Sequence, residues 1–511
     1  MTGWPVLLLT VLTLNGGRVN AQRPFPSRNH VFAAESGLYV SSSPRTPFWL
    51  RANQYGIVPN RSANATLRLD LRSDYRSAVA PDGKLSRRPF DWGYGVNVVA
   101  NTLSTVPGGS RHLLLPEAYV KFRFYFLEVW GGRRREVVGL TDSTLTSGSY
   151  AWSGNALPLP KIQIGTPGFV NVPLTGGLLA VNGFFAHGWF DKPGFVTGSY
   201  LHQKTAYVRL GRPEWAIRLY GGINHNVQWA GYAPQLPYYL ARNGQLPSRL
   251  KDYNWVITGK RGPSQLDSTL TSMEDNRIGN HLGTIDAAAD IRLGAFSVFV
   301  YRQNLYDDGS LFWLTNLADG LNGIRLQNRR PANQKFQIRE VLTELLYTRS
   351  QGGSVFTLEP GQDRLRGRDD YFNHSQYQDG WQYDGRVLGT PFLTPGSEVA
   401  DGLPRGAIAN NRVVVYHLAA RGTFGPRAEW LLRASYSQNY GTYSNPFPAG
   451  TNQFSGSLNL SVPVRIPVLK TVQLNGSVAY DQGRLLGTTG GAYLGLRKTI
   501  SAPANPVDAS N

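Results

Sequence analysis

The chain of 511 residues contains no cysteine. Disulfide scaffolds and thiolate metal centres are therefore excluded. Charge is scarce, at 17% of residues, against about a quarter in an ordinary soluble domain. Acids are scarcest: 33 Asp and Glu face 52 Lys and Arg, giving a formal net charge of +19. No recognisable nucleic-acid module accompanies this excess, so nucleic acid is not the expected partner. Long apolar runs are missing too. The best, residues 4–14, falls short of the roughly 20 residues a spanning helix needs. Helical periodicity is rare, and residues 311–321 (LFWLTNLADGL) hold the best short candidate. There is no H-E-x-x-H, no EF-hand loop and no G-x-S-x-G elbow.

What is present is period-two alternation, with 57 Gly and 12% aromatics. In residues 65–72, Leu67, Leu69 and Leu71 face one way while Arg68, Asp70 and Arg72 face the other. In residues 119–129, Val120, Phe122, Phe124 and Phe126 oppose Tyr119, Lys121, Arg123 and Tyr125. Hairpins are expected around Gly294-Ala295 and around GTFGP at 422–426. Strand candidates of about ten residues match a tilted membrane crossing. Bulky outward rows, with Arg, Lys and Asp opposite, fit a membrane barrel with a wet lumen. Trp130, Trp229, Tyr301, Tyr347 and Tyr440 are expected at its interfacial girdles. The run at 4–14 and the Val19-Asn20-Ala21 ending read as a signal peptide over 1–21. An N-terminal periplasmic segment is expected over 22–60, the barrel with long loops over 61–498 and a polar tail over 499–511.

Catalytic and metal readings find little support. The eight His stand singly on different segments. Asn373-His374-Ser375 cannot form a relay on one strand, because successive side chains diverge. Asp369, Asp370, Asp379 and Asp384 could supply a glycosidase pair, but Asp is also a common turn residue. Three stretches combine flat rings with amides, carboxylates and imidazoles, the composition of a sugar-binding surface. NHNVQWAGY offers Asn224, His225, Gln228 and Trp229. GNHLGTID offers Asn280, His281 and Asp286. DDYFNHSQYQDGWQY offers Asp370, Tyr371, Asn373, Tyr377, Trp381 and Tyr383. Girdle aromatics beside polar turns would read the same way at any one position. Neither a cofactor nor a catalytic residue is expected.

The order of TPFWLRANQYGIVP (46–59), EAYVKFRF (117–124), SGNALPLPKI (153–162), HQKTAYVRLGRPEW (202–215) and DDYFNHSQYQDGWQYDGRVLGTPF (369–392) resembles capsule assembly proteins of the Wzi family, in their Bacteroidota-type form. The similarity runs from about residue 36 to 445. The resemblance implies an all-β fold: a transmembrane antiparallel barrel of about 18 strands with minor helical segments. It further implies a non-enzymatic, lectin-like protein of the bacterial outer membrane. Its partners would be capsular or extracellular polysaccharide, outer-membrane lipids and the capsule export machinery. Enterobacterial relatives carry a periplasmic helical bundle, which the scarce helical pattern here argues against. A barrel-embedded hydrolase acting on glycan or lipid, and a passive porin, are the alternatives.

Overall fold

In the computed structural model the described residues are 30–501, except 77–88, 106–109, 192–193, 261–276, 308–314, 332–334, 356, 359–364 and 426. Leu67, Leu69 and Leu71 are exposed along one face of their strand, and Arg68 and Asp70 turn inward from it. The same alternation, repeated round a circle, closes a barrel. Its strands are β1 (His30–Ser41), β2 (Asn64–Ser73), β3 (Phe90–Asn101), β4 (Leu113–Phe124), β5 (Leu127–Arg133) and β6 (Lys161–Gly165, continued by Val170–Asn171). Then follow β7 (Leu179–Trp189), β8 (Tyr200–Leu210), β9 (Ile217–Trp229), β10 (Asn280–Leu293), β11 (Phe296–Asp307) and β12 (Gly320–Asn328). The circuit ends with β13 (Phe336–Tyr347), β14 (Val413–Phe424), β15 (Ala428–Asn439), β16 (Asn452–Ile466), β17 (Lys470–Gly483) and β18 (Thr489–Ser501). Each strand pairs antiparallel with the next, and β1 closes on β18 from Val31↔Ser501 to Ser41↔Gly491. Closure leaves no edge with unpaired backbone groups, a requirement in a bilayer.

The two ends of the barrel differ. At one end most connections are tight. Gly294-Ala295 joins β10 to β11, with Gly294 at φ 60°, where a side chain would be strained. Tyr125-Phe126 and residues 467–469 make similar turns. At the other end lie the long segments 42–63 and 134–160 and the described parts of 230–279 and 348–412. Short turns face the periplasm and long loops face the exterior in barrels of this kind. Phe90, Phe122, Phe124, Phe126, Trp215, Phe336 and Phe424 are exposed near the short-turn end, as a periplasmic girdle requires.

Several expectations change. Residues 30–41, placed above in a periplasmic segment over 22–60, form the first barrel strand, because they pair on both sides. Residues 42–60 belong to a loop at the extracellular end that folds back into the lumen, and the last strand runs on to Ser501 rather than ending at 498. The proposed signal peptide and most of the polar tail lie outside the described residues. Residues 315–318, within the helix candidate, form turns. Among the described residues the helices are α1 (Phe48–Arg51) and α2 (Leu250–Thr258), both in long loops on the extracellular side. Trp130 and Tyr301 are buried on the inward face, not in a girdle, since their neighbours Val129 and Val300 take the outward positions.

The outer half of the lumen is filled by the chain itself. Loops 42–63, 134–160 and 348–412 fold into it and bury a large aromatic cluster. Below them, on the periplasmic side, a cavity of about 890 Å³ remains, roofed by Trp49, Leu50 and Gln54 and walled by Arg68, Glu340, Arg421 and Asn475 among others.

Candidate functional site at the extracellular mouth

A loop driven into a barrel brings backbone N–H and C=O groups that must find partners. The inward charged and polar wall residues supply them. Asp286 accepts from the N–H of Leu140 at 2.8 Å, the hydroxyl of Tyr207 at 3.0 Å and Gln303 Nε2 at 3.1 Å. Glu344 accepts from the N–H of Ser147 at 2.6 Å and from Thr146 Oγ1 at 2.7 Å. Gln303 Oε1 accepts from the N–H of Tyr150 at 3.1 Å. His417 donates from Nε2 to the Leu145 carbonyl at 2.8 Å. The polar inner rows, read above as facing water, thus hold loop 134–160 in place over the outer half of the lumen.

A second tie joins loops distant in sequence. Glu398 lies between Arg51 of α1 and Arg386, which pairs with it at 3.0 Å. Burial alone would raise the Glu398 carboxyl. The Arg51 and Arg386 guanidiniums override this and hold it below the usual carboxylate range. Burial also lowers Arg386, to about 10. Arg45 adds donors to the carbonyls of Glu398 at 2.7 Å and Val399 at 2.9 Å.

The stretch 369–383 sits within this plug. Tyr371 is fully buried and donates its hydroxyl hydrogen to Asp319 Oδ2 at 2.8 Å. Burial pushes the Tyr371 hydroxyl well above its ordinary pKa. Trp381, also fully buried, donates from Nε1 to the Ala151 carbonyl at 2.8 Å and meets Trp152 edge-on. Tyr377 is buried among Val196, Leu236 and Leu240. Tyr383 donates to Asp191 and accepts from Arg133 at 2.9 Å. The flat faces of these four rings are therefore occupied by the protein itself. Asp370 is exposed and Asn373 half-buried; they share a hydrogen bond at 3.0 Å.

The other two stretches are divided by the strand period. On β9, Ile217, Leu219 and Ile223 are exposed outward, so His225 and Trp229 share the outward face. Asn224 and Gln228 face inward, where Gln228 donates to Ser199 Oγ at 3.0 Å. On β10, His281 faces outward while Asn280 and Asp286 face inward. His225 and His281 are not solitary, as the sequence suggested. Their Nε2 and Nδ1 lie 3.0 Å apart, and the His202 ring is 6.0 Å from that of His225. Helix α2 covers this outward patch: Tyr253 stacks on Trp229 at 5.0 Å and Val256 packs with Val227 and Ile278. Burial raises the Tyr253 hydroxyl to about 12. Among the described residues no group of three or more His, Asp or Glu is arranged to hold a metal.

Exposed rings lie one loop away from the predicted stretch. Tyr238 and Tyr239 are 64% and 67% exposed, and the Arg242 guanidinium lies 5.6 Å over the Tyr238 ring. Their loop is tied to the plug through Gln376 Nε2, which donates to the Leu240 carbonyl at 2.8 Å. The sequence signal was present in QLPYYLARN, two tyrosines after a proline with an arginine three residues on and an amide at each end, but the stretch holds no carboxylate or imidazole.

The closed circle of eighteen antiparallel strands defines an outer-membrane β-barrel of the bacterial envelope. No protein-family model and no curated protein matches the sequence. Among solved structures the chain is similar to Escherichia coli Wzi, described as an outer-membrane protein involved in group 1 capsule assembly and as a carbohydrate-binding β-barrel. Identity is 14% over 91% of this chain and 83% of that one, with a TM-score of 0.55. Pseudomonas aeruginosa OccK5 (OpdH) shares 9% identity over 93% and 98% of the two chains, at a TM-score of 0.45. A BenF-like porin from Pseudomonas fluorescens gives 9%, 93%, 98% and 0.43. The last two superpose too loosely to carry weight. The likeness to Wzi is a likeness of fold.

Proposed function

We propose that this barrel is a Wzi-type capsule assembly protein that binds surface polysaccharide at its plugged extracellular mouth. The observation that carries the reading is the plug. Three loops from distant parts of the chain fill the outer lumen and are fixed by buried charge and backbone hydrogen bonds. A pore needs an open path, whereas a binding platform needs a fixed surface. The carbohydrate-binding description of the E. coli barrel of similar fold supports the same choice.

Tyr238 and Tyr239 would stack on sugar rings. Arg242 would pair with sugar carboxylates, and Asp370 and Asn373 at the nearby edge would take hydroxyls. The buried members of the earlier set, Tyr371, Tyr377, Trp381 and Tyr383, would hold that surface in shape. In favour of a non-enzymatic role, three of the four carboxylates suggested for hydrolysis are engaged by other groups of the chain. Asp370 accepts from Asn373 and Asn411, Asp379 from the N–H of Phe195, and Asp384 pairs with Arg111. Export machinery would be a further partner at the periplasmic side.

The test is retention of purified capsular polysaccharide by the detergent-solubilised protein across a salt titration. Binding that weakens with salt supports Arg–carboxylate contacts. No binding at any salt, with an intact capsule in a deletion strain, defeats the proposal.

A further inference from the structure

Arg349, Arg412 and Tyr440 form a short row across three neighbouring strand ends. Arg412 Nε donates to the Arg349 carbonyl at 3.1 Å, and the Tyr440 N–H donates to the Arg412 carbonyl at 3.0 Å. Strand parity fixes which way they face. On β14, Tyr416 and Leu418 are exposed outward, so Arg412 continues the outward face. Leu345 and Tyr347 of β13 lead to Arg349, two residues past its end, and Leu432 and Tyr436 of β15 lead to Tyr440, one residue past its end. Two levels below the row, Leu345, Tyr416 and Tyr436 lie side by side and are exposed. Four residues of strand cover about 13 Å before tilt. The arginines therefore continue the outward wall toward the extracellular end, beyond the exposed Tyr416 and Tyr436, where outer-leaflet headgroups would lie.

The two guanidiniums are held ready. Arg349 lies 4.4 Å over the Tyr440 ring and Arg412 lies 3.7 Å over the Tyr443 ring. Tyr443 is fixed by donating to the Ser350 carbonyl at 2.7 Å. Stacking satisfies a face of each guanidinium and leaves its N–H edge for an anion. Among the described residues no carboxylate pairs with either one. Asp319, the acid on which the Arg412 charge acts, is committed to Tyr371 and to the N–H groups of Ser350 and Gln351.

We propose that Arg349 and Arg412, backed by Tyr440 and Tyr443, form a binding site for the phosphate of an outer-leaflet lipid headgroup. Outward parity favours lipid over polysaccharide as the ligand, because a glycan held at the mouth approaches from above. A phosphate bridging two stacked guanidiniums gains charge-assisted, partly bidentate hydrogen bonds.

The test uses the whole barrel in nanodiscs, with bisphosphoryl lipid A and fully dephosphorylated lipid A as probes in native mass spectrometry. The wild type should retain bisphosphoryl lipid A at least tenfold more than the dephosphorylated form. The R349Q/R412Q variant should lose that preference while keeping the heat-modifiable gel shift of a folded barrel. Equal retention of both lipids by the wild type overturns the proposal without needing a variant. Unchanged preference in the variant also overturns it. So does a variant that keeps lipid A but loses capsular polysaccharide, which would assign the row to glycan.

Discussion

Arg51 and Glu398, 347 residues apart in sequence, meet as a buried ion pair inside the barrel. One belongs to the loop after the first strand and the other to the loop before β14. Their contact, completed by Arg386, is what makes separate loops a single plug.

Removing the carboxylate should loosen that plug. Glu398→Ala leaves two buried guanidiniums without their partner, a change that costs about 3–5 kcal/mol for a buried pair. Trypsin should cut the variant near Arg405 far faster than the wild type, while the strands stay protected. Equal cleavage of both proteins would show that the tie contributes nothing.

Acid should act through the same groups. Glu398 is held below the usual carboxylate range by its arginines, and Asp142, despite its burial, by Arg325 and the N–H groups of Leu145 and Thr144. For a lowered pKa the stabilisation is complete above the unfolded value, about 4, and is lost as pH falls through the folded value. Tryptophan emission should therefore report plug loosening below about pH 4, with the barrel still folded by circular dichroism. Glu398→Gln should flatten this pH dependence; an unaltered acid transition would contradict the assignment.

The absence of cysteine permits a direct test of sidedness. Tyr239→Cys should react with a membrane-impermeant maleimide on whole cells. Ala295→Cys, in a short turn, should react only after the outer membrane is opened. The opposite pattern would invert the barrel.

The wall was legible in the sequence and the mouth was not. Leu67, Leu69 and Leu71 announce β2 because lipid on one side and polar contacts on the other impose a strict period of two. The same period hid the site. His225 and Asn224 are neighbours in one polar stretch, yet the pleat sends them to opposite sides of the wall. Composition also could not separate an exposed ring from one already packed. Trp381 and Tyr371 are fully buried, whereas Tyr238 and Tyr239, in a plainer segment, are exposed. That difference depends on which loops enter the lumen, a contact made over hundreds of residues.

Buried and exposed aromatics should accordingly fail in different ways. Trp381→Ala should lower the melting temperature, since truncating a buried Trp costs about 3–5 kcal/mol. Tyr238→Ala/Tyr239→Ala should leave melting unchanged and weaken polysaccharide retention by tenfold or more. Loss of stability in the second variant, or normal melting in the first, would reverse these roles.

The most direct measurement is a binding isotherm of purified uronate-containing capsular polysaccharide on the detergent-solubilised wild type, run beside a planar-bilayer recording of the same preparation. A plugged, polysaccharide-binding barrel gives saturable, salt-sensitive binding and little steady conductance. Large, steady conductance with no saturable binding would contradict it.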